Sequence, residues 1–326
     1  MIEFVRSNFY PLKNIFQSID IDKMLEKYLI HSNIKKKFEI LDISSIDNIK
    51  HNSIFFLNKE TDISFEINEK LLVITDNKKI YESIDFENKI LIKDYNKVYH
   101  FLLNQIFIHD DCLNYQDDFE LINGSYISKF SKIDSSATLH KNCIVGRGVI
   151  IGKNVIIKDN AVIKNAIISD NSIISENTTI GGTGFGFDLQ NMGSSNILPQ
   201  IGIVYIDSNV FIGSNCSIDR GKIDITYIGK NSMLDNLIHI AHNVTIGSNA
   251  CIAGQTGISG SVNIGENLIC GGQVGFVGHI NVGKNVRIAA KSGVTKNIKD
   301  NSVIAGFPAT DIKLWKKRII NERKYR

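Results

Sequence analysis

From Ile133 onward an aliphatic residue recurs at every sixth position: Ile133, Leu139, Val145, Ile151, Ile157 and Ile163. One residue is then dropped, and Ile168, Ile174 and Ile180 carry the series on. After a break at 182–205 it resumes at Ile206, Ile212 and Ile218. A second break, DRGKIDIT, precedes the longest run, which steps by six from Ile228, Leu234 and Ile240 to Ile288 and Val294. Four residues after many of these stands a second small or apolar side chain, as at Val244, Ala250, Val262, Val274 and Val286, with Gly, Asn, Asp and Ser between. A period of six fits neither the 3.6 of an amphipathic helix nor the 2 of a half-buried strand. It predicts a parallel β-helix over 126–307, in which each hexapeptide makes one short strand and one corner. Three hexapeptides close a triangular coil of about 18 residues, and coils stack at ~4.8 Å with the recurring aliphatic residue inside the prism.

Residues 1–125 lack the period. Helical patches at Ile21 to Ile30 and Val98 to Ile108, mixed with apolar runs such as SIFFL and KLLVIT, predict a small α/β domain. Beyond Pro308 the pattern changes again. ATDIKLWKKRIINERKYR is amphipathic at helical spacing, with Ile312, Trp315 and Ile319 on one face and Lys313, Lys316, Lys317 and Lys324 on the other, so 308–326 is expected to be a basic C-terminal α-helix. The whole chain is nearly balanced, with 37 Lys+Arg against 34 Asp+Glu, which argues against a nucleic-acid coat. No apolar run approaches the ~18–20 residues of a membrane span, and the N-terminus carries no signal-peptide pattern, so a cytoplasmic protein is expected. The 5 cysteines form no CxxC and read as reduced thiols.

Side chains 18 apart should lie one above another. The column from His242 runs to Gly260 and Gly278, the column from His239 to Gly257, Gly275 and Gly293, and a third from Asn243 through Ser261 to His279. Glycine at a corner would serve a positive φ, but two stacked glycine columns beside histidines point to a groove along the prism. His242 lies at its end, and imidazole is the side chain best suited to general-base work near pH 7. The Gly260 N–H, one coil above, is placed to meet an oxyanion. Base, slot and backbone donor are the parts of an acyl transfer. Metal chemistry would need His239, His242 and His279 to converge on one ion, as in β-helical carbonic anhydrases. GHINVGKN (278–285) has the Walker spacing up to its lysine, but it falls in register with the hexapeptides, so no helix should follow it.

The stretches GGTGFGF, LPQIGIVYID, IGSNCSIDRGKID, LDNLIHIAHNVTIG, IAGQTGISGS, ICGGQVGFVGHINVG, KSGVTKNI and AGFPA occur in this order. They resemble the UDP-3-O-(3-hydroxyacyl)glucosamine N-acyltransferases of lipid A biosynthesis, closely over about 126–316. The resemblance implies a left-handed parallel β-helix and a homotrimer with active sites between neighbouring prisms. It implies transfer of an (R)-3-hydroxyacyl group to the 2-amine of a UDP-sugar. The donor is carried on the phosphopantetheine of acyl carrier protein, with no other cofactor and no metal. His242 in AHNV would be the catalytic base and Gly260 the oxyanion donor. His279, Asn243 and Asp235 would meet the substrate, and Gly257, Gly275, Gly278 and Gly293 the acyl chain. Phe56 and Asn58 in SIFFLN would contact uracil, although no tyrosine follows where the family has one. Thr183 stands where the family has Asp before GFGF. The tail, with Lys313, Lys316, Lys317 and Arg318, would receive the acidic carrier protein. An acetyl-CoA-dependent sugar N-acetyltransferase is the rival within the same fold.

Overall fold

A computed structural model describes residues 4–46, 48–58, 70–108, 118–186, 197–306, 317 and 320–321. The hexapeptide series folds as a prism of three parallel sheets of eight, nine and ten strands, most of them two residues long. In the long run the register steps by one coil at a time: Ile240 pairs with Ile258, Ile258 with Phe276 and Phe276 with Val294. The inward aliphatic side chains form one continuous core, and nearly all of them, from Val145 to Ile258, are fully buried. No coil could bury its inner face alone, so stacking is what removes this surface from water. One antiparallel strand, Phe119–Ile122, closes the first coil by pairing with Ser125–Ser128.

The corners show how the chain turns so often with so few prolines. Asn209, Asn231, Asn249, Asn267, Asn285 and Asn301 all adopt φ near +60°. Asparagine tolerates this left-handed conformation. Each amide donates to the next asparagine one coil on, from Asn209 to Asn231 at 3.2 Å through to Asn285 to Asn301 at 2.9 Å. Positive-φ glycines are confined, among the described residues, to Gly124, Gly148 and Gly181. The glycine columns near the histidines are therefore not corner residues of that kind.

The N-terminal domain is a five-stranded sheet in the order Leu29–Ile34, Asn88–Ile92, Leu71–Thr75, Ser53–Phe56, Asp42–Ser44, parallel except for the first pair. Helix Tyr95–Ile106 is capped by Asp94, whose carboxylate accepts from the Lys97 N–H at 3.0 Å. The helical patch expected at Ile21 to Ile30 is cut short. Helix covers only Ile21–Met24, and Leu29–Ile34 is a strand, because pairing with Asn88–Ile92 satisfies more backbone than one further helical turn.

This domain is fastened to the prism where the repeat breaks. Arg6 is 1% exposed; its guanidinium pairs with Asp42 and donates to the Ile201 and Ile223 carbonyls, the latter at 2.7 Å. Tyr10 donates to the Gly202 carbonyl at 2.7 Å and Tyr99 to that of Pro199 at 3.2 Å. Ile201 and Ile203 complete the N-terminal core. GHINVGKN contains the coil strand Asn281–Val282 and no helix.

Candidate active site

His242 is half-buried at the corner after strand His239–Ile240. Its Nδ1 lies 3.1 Å from Asn243 Oδ1, which also accepts the Lys222 N–H at 2.9 Å. The bond from that backbone donor fixes which amide atom is the oxygen. An amide oxygen only accepts, so Nδ1 carries a proton, and in the neutral ring Nε2 is the nitrogen with the free lone pair. Asn243 is itself held in the left-handed conformation (φ 60°), with its N–H donating to Thr226 Oγ1 at 2.9 Å.

Gly260 covers the free nitrogen. A Cβ on Gly260 would stand 2.9 Å from His242 Nε2 and 2.8 Å from Cε1, so only glycine leaves room for the imidazole. The Gly260 N–H makes no hydrogen bond among the described residues. At equivalent corners a side chain one coil on often accepts that N–H: Asp159 accepts from Lys141 at 3.1 Å, and Asp300 from Lys284 at 2.9 Å. One coil on from Gly260 stands Gly278, which has no side chain to do so. A backbone donor is thereby left beside a basic nitrogen.

His239, Gly257, Gly275 and Gly293 stand on adjacent strands in one ladder. Nothing lies within 4 Å of a Cβ built on any of the three glycines. A groove of about 760 Å³ runs over His239, Gly257 and Gly275, with His242 and Gly260 on one side and Phe185 over it. Its flank is apolar, with Ala241, Ile258 and Phe276. Gly278 is not part of that lining. A Cβ there would meet the Gly260 carbonyl oxygen at 3.1 Å, so this glycine permits backbone stacking under Gly260.

The two breaks in the repeat pack beside His242 and His239. Gly184 packs on His242, since a Cβ there would lie 3.0 Å from the histidine Cβ, and its N–H donates to Gln200 Oε1 at 2.6 Å. Arg220, 3% exposed, donates to Thr183 Oγ1 at 2.9 Å. Threonine here accepts from the arginine without adding a second negative charge. Asp219 sits beside them, with Oδ2 3.8 Å from His239 Nε2. Burial raises the Asp219 carboxyl above its ordinary value, and the neighbouring His239, His242 and Arg220 only partly offset this.

Lys222 links this region to the N-terminal domain. While its N–H holds Asn243, its ammonium lies 4.4 Å from the centre of the Tyr99 ring, and burial lowers its pKa. Phe56 packs edge-on to Tyr95 and Tyr99 at 5.5 and 5.2 Å and is 7% exposed, so it is a core side chain in this conformation. Asn58 is exposed. Other expected residues stand apart from His242. His279 is exposed at a corner two coils from Asn243 (φ 61°), its N–H donating to the Gly260 carbonyl at 3.1 Å. Asp235 lies on another face, where it accepts from the Asn236 and Gly254 N–H groups at 2.8 and 3.1 Å. In the tail, Lys317 is helical and exposed, while Lys313, Lys316 and Arg318 lie outside the described residues. The site residues that periodicity missed, Thr183, Gly184, Asp219 and Lys222, all lie where the period breaks. The breaks were the signal.

Residues 225–260 match the bacterial transferase hexapeptide family (six repeats), and residues 127–190 match the GMPPB C-terminal domain. Among curated proteins, the UDP-3-O-acylglucosamine N-acyltransferase of Desulfotalea psychrophila is 45% identical over 141 residues, 43% of this chain and 41% of the relative. That of Hydrogenovibrio crunogenus is 40% identical over 203 residues, 62% of this chain and 52% of the relative. These relatives are acyltransferases. The chain spans about half of their length, 41% and 52% in the two cases. Among solved structures, LpxA from Acinetobacter baumannii is 25% identical with a TM-score of 0.52, covering 61% of this chain and 77% of that one. The UDP-N-acetylglucosamine acyltransferase of Francisella novicida is also 25% identical, with a TM-score of 0.52 over 61% of this chain and 73% of that one.

Proposed function

We propose that this protein is an N-acyltransferase that moves a 3-hydroxyacyl group from acyl carrier protein to the 2-amine of UDP-3-O-(3-hydroxyacyl)glucosamine. The observation that carries the reading is the pairing of a base with a donor. His242 has its Nε2 freed by the Asn243 contact, and the Gly260 backbone lies against that nitrogen beside an apolar groove. In the reaction the amine nitrogen attacks the thioester carbonyl while Nε2 takes its proton. The Gly260 N–H donates to the oxyanion. Collapse re-forms the carbonyl and breaks the C–S bond, and the proton held on His242 goes to the departing thiolate. The ladder from His239 to Gly293 spans three strand spacings, ~14 Å, which suits a long acyl chain better than an acetyl group. Curated relatives at 40–45% identity are N-acyltransferases, which favours an amine acceptor.

The assembly is read as a homotrimer. On one prism face the outward positions Phe211, Met233 and Ile269 are 36, 58 and 47% exposed, an apolar stripe of the kind that marks a protein contact. Asp235, at the end of the strand that carries Met233, would then meet the groove of a neighbouring subunit, as would His279 the sugar nucleotide. The basic tail, with Lys313, Lys316, Lys317 and Arg318, receives the acidic carrier protein.

One set of assays tests this. The purified protein is offered 3-hydroxyacyl carrier protein or acetyl-CoA, with UDP-3-O-acylglucosamine or UDP-N-acetylglucosamine, over a range of salt. The expected result is N-acylation from the carrier-protein donor, with a donor KM that rises with salt because exposed charges steer the encounter. His242→Ala should lose about 10²–10⁴-fold in kcat while keeping its size in solution. Turnover with acetyl-CoA alone, a requirement for metal, or full activity in folded His242→Ala would overturn the reading. A donor KM that ignores salt would remove the tail from the docking surface.

A further inference from the structure

Asp219 is not needed by the reaction as written, yet its placement is costly. Its side chain is 9% exposed, and it accepts no hydrogen bond among the described residues. Buried carboxylates ordinarily accept several. The groups facing it are His239 at 3.8 Å, His242 and Arg220, and Arg220 is turned to the Gly181 carbonyl and to Thr183. The register sets Ile218 beside Ile240, so Asp219 lies one coil below Ala241, next to His239, which with Ala241 and His242 lines the groove. A negative group is thus held beside the base, with its hydrogen-bonding capacity unspent.

An amino sugar arrives near neutral pH largely as an ammonium, and an ammonium cannot attack a carbonyl until a base removes a proton. A carboxylate next to that base would gather the charged amine and hand it over in the right place. Resting on the N-acyltransferase reading, we infer that Asp219 is the acceptor-ammonium subsite, and that it sets the preference for an amine over an uncharged acceptor. The ammonium donates to the Asp219 carboxylate and gives up its extra proton to solvent. The neutral amine then forms the C–N bond while His242 Nε2 takes the second proton, the one it later delivers to the thiolate.

Equilibrium binding tests this with UDP-3-O-acylglucosamine and its N-acetylated counterpart, which differ in the charge at the 2-nitrogen. Wild type should prefer the free amine by roughly 10- to 100-fold, the worth of one charge-assisted hydrogen bond. Asp219→Asn, nearly isosteric, should lose that preference through weaker amine binding alone, leaving affinity for the N-acetylated compound unchanged. If Asp219→Asn does not fold, as judged by thermal melting, the wild type still decides. Its preference should fade as pH rises through the sugar amine's pKa. A preference that survives either the substitution or the deprotonation overturns the inference while leaving N-acyl transfer by the wild type intact. Failure of the wild type to bind either compound overturns both readings together.

Discussion

At the scale of single residues, the site is a matter of where a side chain is missing. Gly260 and Gly257 are both one coil above a histidine, but their reasons for being glycine differ. A methyl group on Gly260 would fall within 2.9 Å of His242 Nε2, whereas one on Gly257 would meet nothing within 4 Å. Gly260→Ala should therefore push the imidazole off its seat. A misplacement of about 1 Å can cost ~10²-fold in rate, so kcat should fall by about that factor with little change in melting temperature. Gly257→Ala should leave kcat within a few-fold of wild type when measured with the same donor. Equal losses in the two variants would mean that Gly260 acts by widening the groove and not by seating the base.

At the scale of elements, the two-residue strands convert a repeat of six into a ruler. Successive outward positions on one sheet stand one strand spacing apart, so the ladder His239, Gly257, Gly275, Gly293 measures distance from the base. A branched side chain at Gly275 would close the ladder two spacings, ~10 Å, from His239 without disturbing the prism interior. Gly275→Val is expected to lower kcat/KM for long acyl donors at least ~10-fold, given the ~1–3 kcal/mol that small shape changes carry in apolar pockets. Short-chain donors should keep near wild-type values. A series of carrier-protein donors of increasing chain length would show this as a break in the profile, and a uniform loss would place the acyl chain elsewhere.

At the scale of the whole molecule, the N-terminal domain and the prism share one buried ionic knot. Burial alone would raise the Asp42 carboxyl, but Arg6 and Lys50 together hold it below the ordinary value, with Lys50 Nζ at 2.7 Å. A carboxyl with a depressed folded pKa stabilises the fold above its unfolded pKa of ~3.9 and loses that contribution as pH falls through the lower folded value. The melting temperature of the wild type should therefore drop on acidification below about pH 4. Asp42→Asn should melt lower at pH 7, by the equivalent of about 3–5 kcal/mol for a broken buried pair, and its acid limb should be flatter. Parallel acid limbs in the two proteins would show that the knot does not control docking. Among the described residues, Arg6 reaches the prism through the carbonyls of Ile201 and Ile223, which lie within the two breaks of the repeat. The interruptions thus serve twice, fastening the domain and packing beside the groove's histidines.

The prism was legible in the chain because its physics is local and periodic. Every sixth side chain must fill the same interior, so the spacing of Ile228 to Val294 carries both the fold and the register. Given an 18-residue coil, the stacking of His242, Gly260 and Gly278 is arithmetic. What the period could not reach is contact across unequal sequence distances. That Gly260 exists to admit an imidazole, while Gly278 only lets backbones stack, depends on interatomic distances and not on spacing. The tautomer of His242 depends on Lys222 reaching Asn243, 21 residues on, through a bulge of irregular length. The isolation of Asp219 depends on what packs around it. The patch at Ile21 to Ile30 read as helix because its local pattern permits one, and the partner strand Asn88–Ile92 overruled it with hydrogen bonds from far along the chain. Periodic burial was written in the sequence, whereas the choice among locally permitted conformations and the partners of lone polar groups came only with tertiary packing, which alone decides what each group is near.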